Sequence, residues 1–268
     1  FLKQPKTEQI SYMSEIGIIN CGMGNLTSVR NAFLLTRSDC KIINNAEEIE
    51  EYDKIVLPGV GAFASMMDKL DAGNFRQGIL KHINNGKPFM GICLGMQLAV
   101  VEYARNVLNL QGATSTEFNE HPEHDLIIFM PEISTSHMGG TMRLGSRQTI
   151  FREYEGHQSI AAAIYENAEG VYERHRHRYE VNPDYVPQLE EAGLMFTGVD
   201  DKGQRMEIIE LSREDHPFYL ACQFHPEFKT RPQSPSPPFA AFVLAAAGLW
   251  EQNKFQSSFG RASPRTVQ

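Results

Sequence analysis

The sequence predicts a single α/β domain in three αβα layers around a mostly parallel central sheet. Two observations carry this. Through the first ninety residues, short apolar runs alternate with amphipathic ones. The short runs are apolar on successive positions, so both faces of each strand are buried and helices must cover both sides.

The elements follow in order. "EIGIIN" (15–20) reads as a buried strand, "CGMGN" as a turn and "LTSVRNAFLL" (26–35) as a helix. "CKIIN" (40–44) and "DKIVLPG" (53–59) are strands, while "SMMDKL" and "FRQGILKHINN" have helical spacing. "KPFMGI" (87–92) is a further buried strand. Beyond residue 107 the texture changes. "LIIFM" (126–130) reads as a strand, "HMGGTMRLG" (137–145) as a loop, and "VYERHRHRYEV" (171–181) as one alternating strand. "YVPQLEEAG" (185–193) is helical; "LMFTGVD", "QRMEIIEL" and "FYLACQF" are strands. "PPFAAFVLAAAGLW" (237–250) is a last helix with proline at its entry. The domain is expected over 14–250, with a disordered or tag-like segment over 1–13 and a disordered polar tail over 251–268.

Bulk properties exclude several classes. A hydrophobic content of 41% in 268 residues suits a globular core. A net charge of -8 lacks the excess Lys and Arg of a nucleic-acid binder. The 4 cysteines, Cys21, Cys40, Cys93 and Cys222, form no CxxC pair, which indicates reduced thiols in a cytoplasmic protein. The apolar runs are too short to span a bilayer, and no signal-peptide pattern is present, so no membrane partner is expected. The chain opens on Phe1 rather than Met, as a fragment or a trimmed chain would.

The chemistry centres on "GICLG", where Cys93 sits between Gly91 and Gly95. G-x-C-x-G is the thiol version of the G-x-S-x-G elbow, a sharp strand-to-helix turn that lifts the nucleophile above the sheet. The helix N-terminus favours a thiolate, and the Leu94 N–H points where an oxyanion would form. Taken alone, the frame equally suits a buried structural cysteine. "ACQFHPEF" breaks that tie. His225 at a strand end can act as base and acid for Cys93, Glu227 can orient the imidazole, and Pro226 fixes their relation. "LPGVGAF" adds backbone N–H groups, at Gly59 and Val60, as a second oxyanion donor at the same sheet edge.

In this order, the three motifs resemble the class I (triad) glutamine amidotransferase family. The resemblance implies its flavodoxin-like fold. It also implies that Cys93 attacks the side-chain amide of L-glutamine, ammonia leaves, and water releases glutamate from a thioester. After the elbow, "GMQLAVVEYARNVLNLQGATSTEF", "GGTMRLG", "ERHRHRYEVNP" and "CQFHPEF" resemble the glutaminase domain of the CTP synthase family. By that resemblance Gly95, Gln97, Glu117 and Arg178 hold glutamine. Arg178 suits the α-carboxylate and Glu117 the α-ammonium. Arg143 falls on the lid associated with GTP, an allosteric effector. Before the elbow, "IGIINCGMGNLTSVRNAF" and "DKIVLPGVGAF" resemble the glutaminase subunit of imidazole glycerol phosphate synthase, giving the chain a hybrid character. Val60 stands where the CTP synthase loop has a second glycine, and the Arg that follows there is missing, which puts GTP activation in doubt.

The resemblance implies no cofactor in this domain. UTP, ATP and Mg would belong to a separate ammonia-accepting synthase domain or subunit, since no G-x-x-x-x-G-K-[ST] loop is present. His121, His124, His175 and His177 have no Cys or carboxylate at ligand spacing, so no metal is expected. Two further readings stand beside a CTP synthase-like glutaminase: the histidine-biosynthesis glutaminase, and a non-catalytic glutamine sensor or scaffold.

Overall fold

Strands that are apolar on both faces lie side by side in the middle of the molecule, and helices cover each side. The computed structural model describes residues 15–36, 38–130, 142–232 and 234–246. The first half runs β1 (Ile16–Ile19), α1 (Leu26–Leu35), β2 (Cys40–Ile43), β3 (Lys54–Gly59), α2 (Phe63–Ala72), α3 (Phe75–Asn84), β4 (Phe89–Cys93) and α4 (Leu94–Asn106). Then come β5 (Ala113–Ser115), β6 (His124–Phe129), β7 (Arg143–Phe151), α5 (Ile160–Ile164), β8 (Gly170–His177) and β9 (Tyr179–Val181). The chain continues through α6 (Val186–Glu191), β10 (Met195–Asp200), β11 (Met206–Glu210), β12 (Tyr219–Cys222) and α7 (Pro237–Ala246).

The central sheet has nine strands in the order β2-β1-β3-β4-β12-β11-β10-β7-β8. From β2 to β12 every neighbour is parallel; from β12 to β8 every neighbour is antiparallel. The two halves of the sequence meet in one continuous sheet, because β12, from the second half, pairs with β4, from the first. A second sheet, β5-β6-β9, has three strands.

Alternation along the strands sorts side chains into two cores. Ile55, Leu57 and Phe89 pack with α2, α3, α4 and α6 on one face. Ile16, Ile18, Val56, Met90 and Ile92 pack with α1, α5 and α7 on the other. That is the physical basis of the three layers. At its start α1 is closed by Asn25, whose side chain accepts from the Ser28 N–H at 3.2 Å. No helix among the described residues is long and apolar enough to cross a membrane.

Two expectations are corrected. Residues 143–145 are not loop; they open β7, with Arg143 opposite His177 on β8. The run 171–181 is not one strand, because it breaks at Arg178 and its two parts join different sheets. Alternation cannot show such a break, since the pattern continues across it. Residues 137–141 of the expected lid, the end of the last helix beyond 246, and the terminal segments 1–13 and 251–268 lie outside the described residues.

Candidate active site

Cys93 ends β4 and is the residue from which α4 starts. Its backbone takes φ 55 and ψ -108, a conformation that non-glycine residues rarely adopt. The flanking glycines let the turn close. A Cβ on Gly95 would lie 1.9 Å from the Leu57 carbonyl oxygen, and one on Gly91 would lie 2.8 Å from the Ala221 Cβ. So α4 begins in direct backbone contact with β3, and the thiol is held at the carboxyl ends of the parallel strands, only 4% exposed.

His225 arrives from the next strand over. Cys222 on β12 stands opposite Ile92 on β4, so three residues later the chain is beside the elbow. The His225 N–H donates to the Arg174 carbonyl at 2.8 Å, and Pro226–Phe228 form a single 3-10 turn. That turn brings Glu227 back onto the ring: its Oε1 accepts from His225 Nδ1 at 2.8 Å. The proton on Nδ1 leaves Nε2 for the sulfur. Nε2 is buried and falls short of a strict hydrogen bond, but the ring interacts with the Cys93 thiol electrostatically. Burial opposes the imidazolium. The Cys93 thiolate and the Glu227 carboxylate outweigh it and raise the ring's pKa to about 10. Glu227→Gln keeps the shape and removes the charge. It is expected to lower the rate of glutamate release roughly 10^3–10^4-fold with little change in KM. Steady-state kinetics showing less than a tenfold fall would remove Glu227 from the triad.

The remaining expected residues collect around this point. Gly59 is the register partner of Cys93, and a Cβ on it would meet Met66 and Leu94, so the Gly59–Val60 turn lies against the elbow. Glu117 follows β5 by two residues. Its Oε2 accepts from the Phe63 N–H at 2.8 Å, which ties it to the first turn of α2. Arg178 is exposed at the break between β8 and β9, so the small sheet carries the residues expected to hold the α-carboxylate and the α-ammonium of glutamine. Gln97 is buried on α4. Its Nε2 donates to the Tyr179 carbonyl at 2.8 Å and to Gln223 Oε1 at 3.0 Å, so its N–H groups are already engaged within the protein.

Arg143 departs from its expected place. It is not presented on a lid. Its Nη2 donates to Glu207 Oε1 at 2.9 Å and its Nη1 lies 3.8 Å from Asp200 Oδ2, both carboxylates being buried. A largely enclosed guanidinium stays with buried carboxylates because separation would strand their charge without water.

The tertiary structure also supplies a carboxylate that sequence spacing did not reveal. His175, His177 and Glu207 place one donor atom each within 4.8 Å of one another, as a cation site would. One proton on each ring links the two histidines without an ion, while Glu207 Oε2 and His175 Nε2 have no hydrogen-bond partner. His177 Nδ1 donates to the Tyr179 carbonyl at 3.1 Å, so its Nε2 accepts from His175 Nδ1 at 3.2 Å. That same Nδ1 is 3.3 Å from Glu207 Oε2. A cation on His175 Nδ1 would move the proton to Nε2, which is buried with no partner. Burial pushes both rings down, to about 2 for His175 and about 3 for His177, in keeping with neutral imidazoles.

Gln223 was missed. It is fully buried, and its Nε2 lies 3.6 Å from the Cys93 sulfur. The available signal was its place in the expected strand "FYLACQF", two residues before His225.

Residues 17–245 match the family model for glutamine amidotransferase class-I. CTP synthase 2 of Xenopus laevis is 48% identical over 219 residues, 82% of this chain and 36% of that protein. Human CTP synthase 1 is 53% identical over 165 residues, 62% of this chain and 27% of that protein. The chain thus spans roughly a third of the length of these relatives or less. Among solved structures, the glutaminase domain of Trypanosoma brucei CTPS with bound acivicin superposes with TM-score 0.70 at 30% identity, covering 89% of this chain and 96% of that one.

Proposed function

Because the chain belongs to the class-I glutamine amidotransferase family, we propose that it is the glutaminase module of a CTP synthase-like enzyme. It hydrolyses L-glutamine to glutamate and ammonia through Cys93, His225 and Glu227. The observation that carries this reading is His225, with Nδ1 held by Glu227 at 2.8 Å and its ring coupled to the Cys93 thiol.

The steps follow from the groups present. The Cys93 thiolate attacks the side-chain carbonyl carbon of glutamine. Negative charge develops on the carbonyl oxygen, where the Leu94 N–H at the start of α4 and the Gly59–Val60 turn stabilise it. The His225 imidazolium gives its proton to the departing nitrogen, and ammonia leaves as the C–N bond breaks. A water then attacks the thioester with His225 as base, and glutamate leaves as sulfur regains its charge. Arg178 grips the α-carboxylate and Glu117 Oε1 the α-ammonium. Thiol, imidazole and carboxylate complete this chemistry with no cofactor.

The ammonia acceptor is a synthase domain or subunit that aminates UTP, and ATP and Mg act there. GTP stimulation by way of Arg143 would require its pair with Glu207 to break. A diazo-ketone analogue of glutamine tests the proposal. Peptide mass spectrometry should find it on Cys93 alone, with glutamate release lost in proportion to labelling. Label on Cys21, Cys40 or Cys222 with glutamate release unaffected would refute it.

A further inference from the structure

We propose that Gln223 is a further catalytic residue: its side-chain N–H holds the Cys93 thiolate, in an orientation imposed through Gln97 by the backbone carbonyl of Tyr179. The proposal rests on Cys93 being the nucleophile, as argued above.

Amide polarity is the first support. The Tyr179 carbonyl can only accept, so the Gln97 group facing it at 2.8 Å is the NH2. The second N–H of that group goes to Gln223 Oε1 at 3.0 Å. With Oε1 so engaged, the Gln223 NH2 is what faces the Cys93 sulfur at 3.6 Å. The reverse orientation would aim a carbonyl oxygen at an anion. The backbone is pinned too, since the Gln223 N–H donates to the Glu207 carbonyl at 2.8 Å. Gln97 and Gln223 are 4% and 0% exposed, so water does not compete for these bonds.

Charge gives the second support. The sulfur is almost wholly buried, and a buried anion needs donors to replace its lost hydration. His225 is one such group, but it must surrender its proton to the departing nitrogen. Gln223 is a donor that never changes protonation state, so it holds the sulfur through the cycle. When the thioester forms, sulfur loses its charge and this bond weakens. When water cleaves the thioester, the bond favours the returning thiolate. The relay also reaches the substrate side, because Tyr179 follows Arg178 directly in the chain.

The test is the pH dependence of Cys93 alkylation by iodoacetamide, corrected with Cys93→Ala. Gln223→Met keeps the length and removes the donor. It is expected to raise the alkylation midpoint by about one pH unit, a tenfold loss of thiolate at a fixed pH below it. The kcat for glutamate release should fall about tenfold, with KM near the wild-type value. Gln97→Met leaves Gln223 in place but unanchored, and should move the midpoint in the same direction by a smaller amount. Curves for both variants that superpose on the wild type would overturn the proposal. Alkylation by iodoacetamide is read without turnover, so a glutamine-analogue diazo-ketone that failed to label Cys93 would refute the glutaminase reading separately.

Discussion

Cys93→Gly should abolish glutamate release and at the same time yield a protein that melts above Cys93→Ala. The activity loss follows from removing the nucleophile and is expected to be at least about 10^4-fold. The stability gain follows from the backbone. At φ 55 and ψ -108 Cys93 occupies a region that costs a side-chain-bearing residue about 1–3 kcal/mol. Glycine takes that conformation without penalty, although its freer unfolded chain gives back about 0.5–1 kcal/mol. Alanine removes the thiol and keeps the strain. The expected difference, about 1 kcal/mol, corresponds to roughly 2–4 °C in a domain of this size. Calorimetry on the two variants decides it: an alanine variant that melts at or above the glycine one would mean that the elbow stores no strain.

The second large effect is expected at Gly95. A Cβ there would sit 1.9 Å from the Leu57 oxygen and 3.1 Å from the Leu57 carbonyl carbon, and both are backbone atoms. No side chain can rotate away to relieve such a contact. Either α4 lifts from the sheet or β3 is displaced, and each carries part of the site: Cys93 caps the start of α4, and Gly59 ends β3. Gly95→Ala should therefore cost about 3–5 kcal/mol. Any folded fraction should lose about 100-fold in turnover, because reacting groups would shift by the order of 1 Å. Urea unfolding within about 0.5 kcal/mol of the wild type would show that the helix-to-strand approach is not tight.

The melting and urea-unfolding readouts do not depend on the synthase partner, so both can be taken on this chain. Cys93→Gly separates the chemistry from the fold, since it removes one and relieves the other. Gly95→Ala joins them, since the contact that closes the elbow also aims the thiol.

Much of this was legible in order along the chain. The elbow glycines, the His225-Pro226-Glu227 turn and the strand-helix alternation are rules that act over a few residues. Periodicity and turn chemistry express them directly, and the resemblance to glutamine amidotransferases rests on the same short words. Reading failed where the relevant neighbour was distant. The lid expected at Arg143 rests on the resemblance of "GGTMRLG" to the CTP synthase family. The position of Arg143 is set by Glu207 and Asp200, two acids from strands that nothing in its segment announces. At Gln97, expected to hold glutamine, the structure adds partners for the N–H groups, Tyr179 and Gln223, that its own segment does not announce.

By itself, then, the sequence determined which residues can be nucleophile, base and orienting acid, and that a layered α/β sheet would carry them. Only the tertiary structure decided that β12 lies beside β4, that the two sequence halves share one sheet, and that an amide chain from Tyr179 ends on the sulfur. The reason is physical. Backbone conformation is governed by near neighbours in the chain, whereas a buried hydrogen bond or charge pair is chosen by whatever group the packed sheet brings within about 3 Å.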